Sequence, residues 1–122
     1  MAKRILIVDD DEMVLMAVNE LLGQEGYEVR TISNGKEALE QLDREGYDLL
    51  LLDIIMPGMG GLDTLLRIKN IDPQIVIIMI TAVIDEEIAK RTIQLGAYDY
   101  ITKPIDLHHL ETVLMVKMID IM

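Results

Sequence analysis

Leu49-Leu50-Leu51-Leu52-Asp53 decides the fold. Four consecutive leucines leave no polar face, so the segment must be covered on both sides, as in the centre of a parallel sheet. The charged residue comes only at its end. A run rich in Gly and Pro follows, Ile54-Ile55-Met56-Pro57-Gly58-Met59-Gly60-Gly61, and then a helical pattern near Leu62–Asn70. The same arrangement repeats outward from this stretch. The apolar run Arg4–Val8 ends in Asp9 and Asp10, Gln74–Ile80 ends in Thr81, and the mixed stretch Tyr98–Thr102 ends in Lys103.

Helical patterns separate these runs. Glu12–Gln24 places Val14, Ala17, Val18, Leu21 and Leu22 on one face, and Gly23 and Gly26 help to end it. Glu28–Ile32 alternates polar and apolar residues, as a half-buried edge strand does. A second helix follows Ser33-Asn34-Gly35, carries Ala38, Leu39 and Leu42, and stops at Gly46. A fourth runs from about Asp85 to Leu95 before Gly96. A fifth opens at Asp106, which has the chemistry of an N-cap. Regular alternation of strand and helix predicts an α/β fold with helices on both faces of the sheet. The most continuously apolar strands, the first, third and fourth, belong at its centre. The fold expected is a flavodoxin-like, doubly wound (βα)5 three-layer sandwich with a five-stranded parallel sheet ordered 2-1-3-4-5.

That order brings function into view. In an open parallel sheet all carboxyl ends of strands lie on one rim, and ligands bind where the strand order reverses. The reversal falls between the first and third strands and places Asp9 and Asp10 beside Asp53. Thr81 and Lys103 end strands on the same rim. Clustered carboxylates repel one another unless a cation neutralises them, and a hard divalent ion such as Mg²⁺ suits an all-oxygen donor set. Carboxylates, a hydroxyl and an amine together can manage a phosphoryl group and its metal.

Composition narrows the classes. The 122 residues suit one domain, 51% of them are apolar, and no linker interrupts them. There is no cysteine, which excludes disulfides and thiolate metal sites and fits a reducing cytoplasm. The formal charge of −11 argues against direct nucleic-acid contact. The apolar run after Met1-Ala2-Lys3-Arg4 is too short for a signal sequence or a membrane span.

Four blocks, Ile7-Val8-Asp9-Asp10-Asp11, Leu52-Asp53 through Gly61, Ile80-Thr81-Ala82 and Lys103-Pro104, closely resemble the receiver domain of two-component response regulators. Each block alone is common; together, in this order and spacing, they are specific, and the likeness covers essentially the whole chain. The resemblance implies one receiver domain over residues 1–122, either standing alone or cut from a longer regulator. It implies that Asp53 accepts a phosphoryl group from a histidine kinase or phosphotransfer protein. Asp10 would bind Mg²⁺ directly, Asp9 through metal-bound water, and the Ile55 backbone carbonyl would complete the protein ligands with Asp53. Lys103 and Thr81 would stabilise the phosphoryl oxygens. Pro104 corresponds to a proline with a cis peptide bond that aims Lys103 inward. Tyr100 matches the aromatic switch residue, ahead of Tyr98, and would turn inward as the phosphoryl group draws in the Thr81 hydroxyl. The responding face is formed by helix 4, strand 5 and helix 5. Such a domain promotes its own phosphorylation and dephosphorylation without being a stand-alone turnover enzyme.

Two departures from the family pattern stand out. Gly60 occupies a position often held by Asp or Asn, where it shapes the loop. Ile55 and Val83 lie two residues beyond Asp53 and Thr81, where they bear on access of hydrolytic water and on phosphate lifetime. Asp11 and Glu12 are expected to open the first helix rather than bind metal. Adjacent His108 and His109 point in different directions on a helix and make a poor metal site.

Other classes fit less well. A haloacid-dehalogenase-like phosphatase would carry Asp-x-Asp after its first strand, and a flavodoxin-like cofactor carrier a Ser/Thr-rich loop there. A receiver-like interaction module without phosphoryl chemistry is the alternative, against which stands the full set of site residues. From Val113 to Met122 only Lys117 and Asp120 are polar. A stripe of Leu107, Leu110, Leu114 and Ile121 is expected on the sheet, leaving Met115, Met118, Ile119 and Met122 for a second copy or an effector domain.

Overall fold

A computed structural model describes residues 3–54, 60–82 and 86–121, with side chains through Lys117. Ile55, Val83, Asp85 and the side chains of Met118, Ile119, Ile121 and Met122 lie outside the described residues. Five strands and five helices alternate: β1 (Arg4–Val8), α1 (Glu12–Gln24), β2 (Glu28–Ile32), α2 (Gly35–Arg44), β3 (Leu49–Asp53), α3 (Gly61–Ile71), β4 (Val76–Thr81), α4 (Glu86–Gln94), β5 (Asp99–Thr102) and α5 (Leu107–Ile121). All neighbouring strands are parallel, in the order β2-β1-β3-β4-β5. This is the expected doubly wound sheet.

The leucines of β3 explain its central place. Leu49 and Leu51 join Ile5, Ile7, Ile78 and Ile80 in a core closed by Leu15, Val18 and Leu22 of α1 and Leu110 and Leu114 of α5. Leu50 and Leu52 join Leu6, Val8, Ile77 and Met79 beneath Ala38 and Leu42 of α2 and Leu65 and Ile68 of α3. Each such side chain, fully withdrawn from water, contributes about 1.5–3 kcal/mol. An edge strand lacks this double cover: in β2 only Ile32 is buried.

Local chemistry sets the helix ends. Asp11 Oδ1 accepts from the Met13 amide at 3.0 Å, and Asn34 Oδ1 from the Glu37 amide at 2.9 Å. Asp106 Oδ1 accepts from the amides of His108 and His109. Gly26 and Gly96, at φ 90° and 115°, make the left-handed turns after α1 and α4 that a Cβ would strain.

Four expectations need correction. On α1, Leu15 is buried and Ala17 exposed, because the face that meets the sheet is rotated from the one read off the periodicity. Gly23 lies inside that helix, so termination falls to Gly26. Leu107 stands at the open first turn of α5 and remains 36% exposed instead of packing on the sheet. Tyr98 precedes β5, its amide bonded across to the Ile77 carbonyl at 2.7 Å, and the strand begins at Asp99.

Candidate functional site

Strand register assembles the rim. Val8 pairs with Leu52, so Asp9 and Asp53 follow at the same level on adjacent strands. Asp53 pairs with Ile80, and Thr81 with Thr102, immediately before Lys103. Alternation then sorts the side chains, since residues two apart share a face. Asp9 continues the series Ile5, Ile7; Asp53 continues Leu49, Leu51; and Lys103 follows Ile101. All three extend the layer beneath α1 and α5, where apolar residues give way to charge.

The result is a compact, largely dry ionic cluster. Asp9 and Asp53 are buried, and the Lys103 side chain is only 19% exposed. Lys103 Nζ lies 3.2 Å from Asp53 Oδ2 and 3.2 and 3.0 Å from the two oxygens of Asp9. Asp9 Oδ1 also accepts from the Asp11 amide at 2.9 Å. The Lys103 amide donates to the Thr81 carbonyl at 2.7 Å, tying the lysine's backbone to β4, and the Lys103–Pro104 peptide bond is cis. Burial pulls the Lys103 pKa down, but hydrogen bonds and attraction from Asp9 and Asp53 outweigh it, leaving the ammonium above the ordinary lysine value.

The acidic group is larger than the two carboxylates that Lys103 meets. Asp9, Asp10 and Asp53 each present an oxygen, and these oxygens lie within 4.8 Å of one another. Asp9 Oδ2 is buried and, among the described residues, has only its ion pair with Lys103 at 3.0 Å. Two buried carboxylates that share one ammonium are left with part of their desolvation cost, and an oxygen-liganded divalent ion would relieve it. The donor set therefore fits Mg²⁺. Asp11 belongs elsewhere, because its carboxylate caps α1.

The remaining sequence candidates sit around this cluster. Thr81 is buried at the end of β4. Tyr100 is 40% exposed and lines an open groove of about 510 Å³ with Glu86, Ala89, Lys90, Ile93 and Gln94. Tyr98 lies under the Lys117 ammonium, 4.0 Å from its ring centroid, a cation–π contact that anchors it to α5. His108 and His109 are exposed at the start of α5, away from any carboxylate group of metal-binding spacing among the described residues. Sequence reading did not single out Gly61, which lies against the Asp53 backbone, or Thr64 and Gly35, which pack on each other beside it; the paired glycines Gly60-Gly61 were the available signal.

Fold and rim together define a doubly wound domain with an acidic, metal-type pocket at its switch point. Residues 5–115 match the response regulator receiver domain, and the chain belongs to that family. It is 45% identical over 113 residues to the transcriptional regulatory protein CrdR of Helicobacter pylori, covering 91% of this chain and 53% of that protein. With the chemotaxis protein CheY of Bacillus subtilis it shares 42% identity over 105 residues, 85% of this chain and 88% of that one. The structure of a CheY-like receiver domain protein from Methanospirillum hungatei superposes with a TM-score of 0.94 at 33% identity, covering 99% and 97% of the two chains. The chain thus spans about half the length of the transcriptional regulator and most of the chemotaxis protein. Receiver domains are signalling modules rather than turnover enzymes; they bind Mg²⁺ at an acidic aspartate pocket and interact with histidine kinases or phosphotransfer proteins. Among the described residues no helix is long and apolar enough to cross a membrane.

Proposed function

We propose that residues 1–122 act as one cytoplasmic receiver in which Asp53 accepts a phosphoryl group from a histidine kinase or phosphotransfer protein. The observation that carries this reading is the buried Asp53 carboxylate, held beside Lys103 and the acidic pair at the switch point. An Asp53 oxygen forms the new O–P bond as the P–N bond to the donor imidazole breaks, and the imidazole leaves with the bonding pair. The product is an acyl phosphate. Such a transfer needs alignment and charge neutralisation more than a base. Lys103 supplies a fixed positive charge for a phosphoryl oxygen, and the Thr81 hydroxyl a donor. Asp10, Asp53 and the Ile55 carbonyl would hold Mg²⁺, with Asp9 assisting; when bound it supplies further neutralisation.

The output follows from Thr81. Its hydroxyl, drawn toward the phosphoryl group, vacates space into which the Tyr100 ring turns from its groove, and the face of α4, β5 and α5 changes shape. Apolar groups on these elements support a partner surface: Ile93, Tyr100 and Met115 are all exposed, Met115 by 55%. The partner is a second copy or an effector domain. Acetyl phosphate with Mg²⁺ should add one phosphoryl group by intact mass, absent in Asp53→Asn. Undiminished labelling of that variant would overturn the assignment, and an unlabelled parent would leave an interaction module without phosphoryl chemistry.

A further inference from the structure

The backbone that carries Asp53 is clasped from behind. The Gly61 amide donates to the Ile54 carbonyl at 2.8 Å, drawing the first turn of α3 onto the end of β3. The approach is so close that a Cβ on Gly61 would lie 2.5 Å from the Asp53 carbonyl oxygen and 2.6 Å from that of Ile54, and against the Ile54 Cα. These are main-chain atoms and cannot rotate aside. Any side chain there must lift α3 or push the Asp53–Ile54 segment toward the rim.

The same turn is wedged from its other side. Thr64, fully buried, donates its hydroxyl to the Gly60 carbonyl at 2.9 Å. No side chain of Gly60 caps α3, so this bond helps to close the helix start. Across from it stands Gly35 in the first turn of α2, where a Cβ would meet Thr64 Oγ1 at 2.5 Å. Two missing side chains thus allow α2, α3 and β3 to close on one point, with the nucleophile's backbone as the last member of the stack.

We propose that Gly61 is a positioning residue for Asp53, and that Thr64 packed on Gly35 holds Gly61 in place. The inference rests on the phosphoacceptor reading and extends it to residues that touch neither the phosphoryl group nor the metal. In-line transfer is sensitive to displacements of about 1 Å, which can cost about 100-fold in rate. Close packing transmits such a displacement because interiors have no slack to absorb it.

The test measures acetyl phosphate labelling of the full chain with saturating Mg²⁺, alongside thermal melting and the backbone amide shifts of Asp53 and Ile54. Gly61→Ala should slow labelling at least tenfold and move those amides. Gly96→Ala provides the control for general destabilisation: its strained φ and the Lys69 side chain 3.0 Å from the new Cβ lie away from the rim. It should melt lower yet label at the parent rate when folded. Equal slowing of both variants, or a folded Gly61→Ala that labels normally, overturns the proposal and leaves the phosphoacceptor reading standing. Failure of the parent to label defeats the reading itself. If Gly61→Ala does not fold, Gly35→Ala takes its place: labelling should slow severalfold and recover partly when Thr64→Ala is added. A parent rate in Gly35→Ala, or no recovery in the double variant, overturns the proposal equally.

Discussion

The two ends of the sheet treat charge in opposite ways. At the carboxyl rim three carboxylates converge, two of them on Lys103, and the buried Asp9 Oδ2 has only the lysine ammonium, 3.0 Å away, beside it among the described residues. At the amino end Arg4 is surrounded by partners: Glu45 at 2.6 Å, the Gly46 carbonyl at 2.7 Å, Glu28 at 3.7 Å and the Tyr47 ring at 4.7 Å. Gln41 donates to both Glu45 and the Tyr47 hydroxyl, and the Arg4 amide donates to Asp48. The amino end keeps its charges partly in water and richly hydrogen-bonded, whereas the rim buries two carboxylates on a single ammonium. Buried ionic groups seldom repay their desolvation, so the rim is explained by chemistry and the amino end by closure of the fold.

The largest separation between the two ends should appear in phosphoryl labelling. Lys103→Met removes a fixed positive charge beside Asp53 and should slow labelling by about 100-fold, the scale for deleting one stabilising donor. Arg4→Met should leave the rate unchanged. Parallel slowing in both would mean that charge at the amino end reaches the site.

Metal linkage comes next. Mg²⁺ at about 100 times its dissociation constant should add about 2.7 kcal/mol of stability by mass action. Asp10→Asn should lose most of that gain, whereas Glu45→Gln should keep it. Melting with and without the ion reads the difference directly. Without Mg²⁺ the signs should reverse between the ends: Asp10→Asn relieves repulsion and raises the melting temperature modestly, and Arg4→Met lowers it by a few degrees.

The smallest effect is in pH dependence. The Lys103 pKa stands above its ordinary value of 10.5. Its contribution to stability is therefore complete below that value and is lost as pH rises through the folded pKa. Glu45 is held below its ordinary value of 4.5, first by the hydrogen bond from Arg4. Its contribution is present above 4.5 and is lost as pH falls through the lower folded value. The rim should weaken at the alkaline end and the amino end at the acid end. Lys103→Met should flatten only the alkaline limb of a melting curve against pH, and Glu45→Gln only the acid limb.

Much of this was legible in the chain because it rests on short-range pattern. Leu49–Leu52 required cover on both faces, and the alternation of Glu28–Ile32 marked an edge. Chain order placed Asp9, Asp10, Asp53, Thr81 and Lys103 at strand ends, and parallel topology then had to bring those ends to one rim. Periodicity read a helix face less well. On α1 it favoured Ala17 over Leu15, because a 100° step leaves neighbouring stripes nearly equivalent until the sheet chooses one.

What the sequence determined by itself, then, was the parallel sheet, its strand order and the identity of the residues on its rim, since hydrophobic period and chain direction are local properties. Only the tertiary structure decided how closely α3 approaches the Asp53 backbone, that Thr64 fills the space left by Gly35, and that Arg4 gathers Glu28, Glu45 and Tyr47. All but the first join residues far apart in the chain, and the close approaches depend on a few tenths of an ångström that packing sets and no sequence period encodes.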